Sequence, residues 1–248
     1  MHVIYILWLR QLKRYGRSRV RVISSLAQPL LYLLAMGYGL GPVFEKAGQG
    51  SYLQFIAPGL IAMTILFTSI FSGIDLIMDR QFGFLKETLV APVPRIWIVM
   101  GRILGGATVT VIQALLFLIV CLIAGFRWHD ASLLPLAVAF MVVTAILFTA
   151  LGTCIGSALK DAQAFQFIMG FLIMPIFFLS GAMFPLSNLP KALAIVTTLD
   201  PLTYGVDGLR HALNGVAHFG LVVDFAVLSV VAALFVAAAS YLFSKIES

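Results

Sequence analysis

Charge is scarce in this sequence of 248 residues, of which only 10% are Asp, Glu, Lys or Arg. A soluble globular domain carries about 25% charged residues. Hydrophobic residues make up 61% of the chain, and the mean hydropathy is +1.06. They gather into stretches of about 20 residues or more, long enough for a helix to cross a hydrocarbon core about 30 Å thick. The composition therefore excludes a soluble fold and predicts an all-α integral membrane protein.

The residue patterns of metal and nucleotide sites are also missing. The four histidines form no HExxH motif, and His211 and His218 lie seven residues apart without a third ligand at a compatible position. Neither a GxxxxGK[ST] loop nor a dinucleotide-binding glycine loop is present. We therefore expect no metal site and no catalytic residue, and the chain should not hydrolyse ATP by itself.

The two cysteines, Cys121 and Cys154, do not predict a disulfide. They fall near opposite ends of neighbouring antiparallel spans, at depths about 25 Å apart, whereas a disulfide needs Cα atoms within about 7 Å. We interpret them as packing thiols.

Ionisable side chains are missing from the middle of the apolar stretches. Asp75 lies one turn from an inner end, Asp224 lies near an outer end, and Arg102 is close enough to the inner interface to extend its guanidinium to water. Ion-coupled carriers and proton pumps need charged groups inside the membrane. An ion-coupled carrier is therefore a disfavoured alternative.

The apolar stretches predict six membrane-spanning helices within a single domain that covers residues 1–248. The expected spans are Val22–Leu40, Leu53–Met78, Ile98–Gly125, Leu133–Ala158, Ala164–Met183 and Leu221–Phe243.

The distribution of Lys and Arg predicts that both termini are cytoplasmic, because cytoplasmic segments carry the excess of these residues. With the N-terminus inside, the inner side holds twelve of them: Arg10, Lys13, Arg14, Arg17, Arg19, Arg21, Arg80, Lys86, Arg95, Arg102, Lys160 and Lys245. The outer side holds four: Lys46, Arg127, Lys191 and Arg210.

Residues 1–21 predict an amphipathic helix at the inner membrane surface. At about 100° per residue, the cations share one face: Arg10, Lys13, Arg14, Arg17 and Arg21. The opposite face is apolar: Ile4, Trp8, Leu12 and Tyr15. We expect the cations to face anionic headgroups. The helix either only anchors the chain or has a mechanical role beside the first span.

Glycines recur at a spacing of four, which lets helix backbones approach closely in lipid. The pairs are Gly37/Gly41, Gly101/Gly105 and Gly152/Gly156. Since the last two pairs lie toward the inner half, we expect the third and fourth spans to pack tightly there.

The inner segment 79–95 is too long for a simple turn and too charged to insert. It predicts two to three turns of amphipathic helix that stop before Pro92, whose ring disfavours helix in the residue before it. Its apolar stripe is Phe82, Leu85, Leu89 and Val90. A short cytosolic helix of this kind is typical of a docking site for another protein.

The outer segment 184–220 predicts two short helices, Ala192–Leu199 and Leu202–Leu213, which are too short to span the bilayer. Pro201 holds Asp200 out of helix, so the chain should reverse there and Asp200 should cap the second helix. We expect this pair to dip into the outer leaflet and return.

The sequence resembles the ABC-2 type permease family in two of its motifs. Residues 86–95, Lys-Glu-Thr-Leu-Val-Ala-Pro-Val-Pro-Arg, are similar to the family's pattern after its second span. The runs Leu179–Pro185, Leu189-Pro190, Leu199–Tyr204 and Gly208–Arg210 resemble its segment between spans five and six. The similarity covers essentially the whole chain. The subgroup that contains the daunorubicin-resistance and nodulation lipo-oligosaccharide exporters is the most similar.

The resemblance implies a homodimer in the bacterial inner membrane, with two separate ABC ATPase subunits that hold ATP and Mg. Within the coupling segment 79–95, it assigns Asp79–Val90 to the coupling helix that docks on the ATPase, with Glu87 as the charged contact. The coupling residues implied are Phe84, Leu85, Lys86, Glu87, Leu89 and Pro92. Those of the outer re-entrant hairpin are Pro190, Asp200, Pro201 and Tyr204.

The cargo implied is amphipathic, drug-like or lipid-linked, exported along a groove between the first and fifth spans. Aromatic candidates for its wall are Tyr32, Tyr38, Phe167, Phe171, Phe177 and Phe178. A polysaccharide exporter is the alternative within the family. Lipid is an expected partner, and nucleic acid is not.

Overall fold

The computed structural model describes residues 2–46, 51–85, 93–186 and 190–246, and all regular structure within these ranges is helical. The described helices are α1 (His2–Arg17), α2 (Arg19–Lys46), α3 (Tyr52–Phe71), α4 (Ile74–Gln81), α5 (Arg95–Ile123), α6 (Leu134–Ala158), α7 (Ala162–Leu179), α8 (Lys191–Leu199), α9 (Pro201–Asn214) and α10 (Leu221–Ser244), with a 3₁₀ turn at Ala131–Leu133.

Six helical stretches of the described chain are long and apolar enough to cross a membrane, which confirms the predicted number. They are Val22–Phe44, Tyr52–Gln81, Arg95–Ile123, Ala131–Ala158, Ala162–Leu179 and Leu221–Ser244. The bounds differ from the predicted ones by a few residues at most ends.

The second span is longer than predicted and is interrupted once. Ser72 and Gly73 separate α3 from α4, and the Ser72 hydroxyl donates a 2.6 Å hydrogen bond to the Ser69 carbonyl. Such back-bonding to the preceding turn bends a helix. Because α4 continues to Gln81, Asp79 lies in this span. The predicted end of the span at Met78 was therefore three residues too early.

Helix α3 forms the centre of the molecule. It packs against α2, α5, α6 and α9, and 72% of the most apolar part of its span is buried. The corresponding fraction is 11% for the first span, 17% for the sixth and 22% for the fifth. These three spans therefore lie at the periphery and expose apolar side chains.

The recurring glycines bring together different helices from those predicted. Gly152 contacts the backbone of Ile70, and Gly156 contacts that of Gly73, so this pair seats α6 against the second span. Gly101 and Gly105 instead face α1. The third and fourth spans do pack against each other, as expected, and Gly106 approaches Thr149 between them. The two glycine pairs do not make that contact, because a small-residue pattern does not indicate which neighbour fills its groove.

Candidate coupling site and outer hairpin

The N-terminal helix α1 is docked on α5. A Cβ atom added at Gly105 would lie 2.9 Å from the Gln11 Cβ atom, so only glycine permits this approach. Leu7 is buried between the helices, and the Trp8 indole donates a 3.0 Å hydrogen bond to the Thr108 hydroxyl. The apolar face of α1 is therefore covered largely by protein.

Two of the cations of α1 pair with carboxylates of α4. Arg10 Nη2 lies 3.1 Å from Asp79 Oδ1, and Arg14 Nη2 lies 3.2 Å from Asp75 Oδ1. Both aspartates are 5% exposed. The expectation that these cations face lipid headgroups was wrong for Arg10 and Arg14, because buried carboxylates require a nearby positive charge.

Arg102 of α5 completes this group, which we call the inner charge cluster: Arg10, Arg14, Asp75, Asp79 and Arg102. Arg102 is 6% exposed, and its Nη2 atom lies 2.5 Å from Asp79 Oδ2. The expected extension of Arg102 to water was wrong, since a partner within the protein neutralises it. The cluster joins α1 to the consecutive helices α4 and α5.

The segment after α4 begins at this cluster. Phe82 and Phe84 are 71% and 51% exposed, and the Arg10 guanidinium lies 6.0 Å from the centre of the Phe84 ring. Leu85 is only 2% exposed and packs in a cluster with Leu7 and Ile98. The prediction that Leu85 contacts a partner protein was therefore wrong, because its side chain packs against the membrane domain.

The other predicted coupling residues lie outside the described residues: Lys86, Glu87, Leu89 and Pro92. Where the description resumes, Arg95 Nη1 donates to the carbonyls of Ser244 and Ile246 at 2.5 and 2.9 Å. On the other side of the segment, Arg80 Nη1 donates to the Leu159 carbonyl at 3.1 Å. Both flanks of the segment are therefore attached to the ends of other spans.

At the opposite end of the molecule, α8 and α9 form the predicted pair of short helices. Asp200 has extended backbone angles and accepts a 2.9 Å hydrogen bond from the Leu202 N–H, which confirms the predicted break between the two helices and the cap. Pro201 is the first residue of α9, and Pro190 immediately precedes α8. Burial raises the pKa of Asp200 to about 7, although the bond from Leu202 acts in the opposite direction.

Side chains of α9 also bind the backbone of α8. The Thr203 hydroxyl donates to the Thr197 carbonyl at 2.7 Å, and the Tyr204 hydroxyl donates to the Thr198 carbonyl at 2.8 Å. These two hydrogen bonds across the Asp200 turn therefore fix the angle between the two helices.

Two charged residues that hold α9 in place were missed from the sequence. Asp207 is 2% exposed and accepts hydrogen bonds from the N–H groups of His218 and Phe219 at 2.8–2.9 Å. Arg210 donates to the Gly181 carbonyl at 3.1 Å and lies 4.3 Å over the Phe55 ring. Burial lowers the pKa of Arg210 to about 10. An Asp and an Arg three residues apart in a short helix between apolar stretches were the available signal.

Five of the six aromatic candidates for the cargo path are at least partly accessible. Tyr38, Phe167, Phe171 and Phe178 are exposed, and Tyr32 is half-buried. Phe177 is 1% exposed and belongs to the core of the protomer. Its assignment to the surface of the groove was therefore wrong, because it lies on the inner face of α7.

Residues 2–214 match the model of the ABC-2 type transporter family. The chain belongs to this family. It is 27% identical over 237 residues to the inner membrane transport permease YadH of Escherichia coli (strain K12), covering 93% of this chain and 91% of YadH. It is 28% identical over 211 residues to nodulation protein J of Rhizobium leguminosarum bv. viciae, covering 84% of this chain and 81% of that protein.

Permeases of this family function with ABC ATPase partners, generally as dimers, and are not themselves the ATPase. The chain is accordingly a membrane transport permease, and its described part contains six apolar helices long enough to cross a membrane.

Proposed function

We propose that this chain is the permease subunit of an ATP-driven exporter, which moves an amphipathic, drug-like or lipid-linked molecule across the bacterial cytoplasmic membrane. It acts as a homodimer with two ABC ATPase subunits that supply ATP and Mg. The observation that carries this proposal is the position of Phe82 and Phe84, which are exposed beside the inner charge cluster.

An exposed aromatic pair on a short segment suits docking, because aromatic side chains supply much of the energy of protein interfaces. Within segment 79–95, we assign Phe84 to the apolar contact and Glu87 to the charged one. Lys86, Leu89 and Pro92 complete the docking surface. Leu85 supports it from within the membrane domain.

Movement of this segment would reach several spans at once. Leu85 packs on residues of α1 and α5, Arg80 contacts the end of α6, and Arg95 contacts the end of α10. Buried ion pairs and packed side chains resist separation. ATPase closure would therefore tilt the membrane domain as a unit instead of bending the segment alone.

The exposed faces of α2 and α7 supply the surface for the second copy and for the cargo. Apolar aromatic side chains such as Tyr38, Phe167 and Phe171 suit an amphiphile and provide no charge for a free ion. We place the cargo path between these faces. The hairpin of α8 and α9 dips into the outer leaflet beside its exit, with Pro190, Asp200, Pro201 and Tyr204 shaping it.

We infer the orientation of the chain in the membrane from the positions of its basic residues. The end of α10 lies beside Arg95, and α1 lies beside the same end of α5, so both chain ends share one side of the molecule. We assign this side to the cytoplasm because it holds most of the Lys and Arg residues.

The test is co-expression with the ABC ATPase encoded by a neighbouring gene, followed by purification through a tag on the permease. Phe84→Ala combined with Phe82→Ala should reduce ATPase recovery about tenfold or more, the factor of a hot-spot loss of at least about 1.4 kcal/mol. Tyr241→Ala is the matched control, since Tyr241 is an exposed aromatic residue of α10.

Transport into inverted vesicles tests the rest of the proposal with a fluorescent amphiphile as cargo. Uptake should require ATP and both proteins. Uptake driven by an ion gradient without the ATPase would indicate an ion-coupled carrier. Stimulation of ATP hydrolysis by a polysaccharide alone would favour the alternative cargo.

A further inference from the structure

A partly enclosed cavity of about 220 Å³ lies in the inner half of the molecule, between α1, α2, the span formed by α3 and α4, and α5. Its wall includes the start of α2, the last turns of α3 and the first half of α5. Ser24 and Gln28 line it and are exposed, so the opening follows α2. The cavity is separate from the exposed aromatic face of α7, from which no residue lines it.

The chemistry of the cavity is unusual for the interior of a membrane domain. One part of its wall is apolar, with Met63, Phe67 and Val109. Another part presents uncharged amides and hydroxyls, which include Gln11, Ser24, Ser25, Gln28, Thr68 and Gln113. Polar side chains in an apolar environment are costly unless they are hydrogen-bonded.

Three of these polar side chains are satisfied by one another. Thr68 donates a 2.6 Å hydrogen bond to Gln113 Oε1, and Gln113 Nε2 donates to the Ser25 hydroxyl. Gln113 is 1% exposed, so these hydrogen bonds fix the polar side chains at the buried side of the cavity.

The other three polar side chains have donors and acceptors to offer. Within the described chain, Gln11, Ser24 and Gln28 make no side-chain hydrogen bond. The charges at the cavity balance, because Asp75, which also lines it, pairs with Arg14. The site therefore offers hydrogen bonds to a ligand and no net charge.

We infer that this cavity binds the uncharged, hydroxyl- or amide-bearing head of an amphiphile that enters from the inner leaflet. The inference deepens the proposed function and rests on it, since it assigns a chemical class to the cargo. Neutral amides and hydroxyls pair with sugar or amide groups, whereas a phosphate would need a free cation. The volume is below the roughly 300–1,000 Å³ of sites for whole drug-sized ligands, which suits a head whose tail stays in lipid.

The binding test uses the full chain, with its ATPase partner, in lipid nanodiscs. The probe is glucosyl diacylglycerol that carries a photoreactive diazirine on the acyl chain close to the glycerol. Phosphatidylglycerol with the same diazirine is the anionic counterpart. After irradiation, labelled peptides are identified by mass spectrometry. The glucosyl probe should label segments 11–29 and 63–75, and should do so at least about fivefold more than phosphatidylglycerol.

Two variants and their controls test the site itself. Gln28→Leu with Ser24→Ala removes hydrogen-bonding groups at exposed positions, so folding should be unaffected. It should reduce labelling about fivefold, as expected for one net hydrogen bond. Val109→Phe fills the cavity and should abolish labelling. The controls are Gln163→Leu and Val142→Phe, which change exposed residues on α7 and α6 that do not line the cavity.

Equal labelling by both probes would overturn the inference, because the cavity would then hold any membrane lipid. Labelling that persists in both cavity variants would also overturn it. ATPase recovery is measured on the same samples. Normal recovery without selective labelling contradicts only the cavity assignment, whereas loss of recovery in all proteins contradicts the proposed function. Failure of Val109→Phe to fold leaves the decision to the Gln28 and Ser24 variant.

Discussion

The two ends of this molecule hold their charges in different ways. At the inner end, Arg102 and Asp79 are both buried and neutralise each other across two consecutive spans. At the outer end, Asp207 is held by backbone N–H groups of a nearby loop, and Arg210 by a carbonyl and an aromatic ring. The inner arrangement joins helices through paired charges, whereas the outer one holds α9 against α3, the end of α7 and the loop before α10 through uncharged partners.

This difference predicts where a single substitution acts. Removing one member of a buried ion pair leaves the other charge without compensation, and the effect spreads to every helix in the cluster. Removing one acceptor of backbone bonds exposes a few donors in one loop. A substitution at the inner end should therefore reduce the stability of the whole domain, whereas one at the outer end should mainly change the local conformation.

The largest effect is expected for Asp79→Ala. This change leaves Arg102 buried without its partner and should reduce the free energy of unfolding by about 3–5 kcal/mol. Thermal unfolding in detergent or nanodiscs measures it. Adding Arg102→Met removes the second charge and should restore much of the loss. A double variant as unstable as Asp79→Ala would show that the pair does not carry the effect.

Asp207→Ala should have a smaller effect at the outer end. It leaves the N–H groups of His218 and Phe219 without their acceptor and should cost about 1–3 kcal/mol. The matched control is Asp130→Ala, since Asp130 also accepts a backbone N–H, from Ser132, but is exposed. If the two variants unfold at the same temperature, burial of Asp207 is not what matters.

Asp200→Ala removes the cap of α9 and should cost about 1 kcal/mol. Because the helix end shapes the proposed exit, transport should fall more than protein abundance does. Asp200→Asn keeps a capping oxygen and should retain most of both. Uniform labelling of cysteines across residues 192–213 by a membrane-impermeant reagent would contradict an embedded hairpin.

Asp200 also predicts a dependence of stability on pH. Its pKa is about 7 in the folded chain, compared with an ordinary value of 3.8. The folded state therefore binds more protons than the unfolded state between about pH 4 and 7, so this residue lowers stability as pH rises through that window. Asp200→Asn should remove this contribution, which unfolding temperatures at pH 5 and pH 8 would reveal.

The smallest effect is expected for Arg14→Ala. Its side chain is 42% exposed, so water screens its pair with Asp75, and the cost should be at most about 1 kcal/mol. A loss as large as that of Asp79→Ala would mean that the inner charge cluster acts as one unit. Unfolding of the two variants under the same conditions compares them directly.

Much of the fold could be predicted because it depends on local sequence. The number and approximate bounds of the spans follow from the length of each apolar stretch. The turn at Asp200 was predictable because proline restricts the residue directly before it. Gly101 and Gly105 show the limit of this reasoning, since their spacing predicts a close contact but not that α1 makes it.

The sequence by itself determined which segments can cross a membrane, where the two short helices α8 and α9 are divided and which family the chain resembles. Each of these depends on residues close together in the chain. Only the tertiary structure decided that Arg102 is buried, that Leu85 packs inward and that polar side chains of α1, α2 and α5 surround one cavity. These outcomes depend on which helices become neighbours, because burial and pairing are properties of contacts and not of single segments.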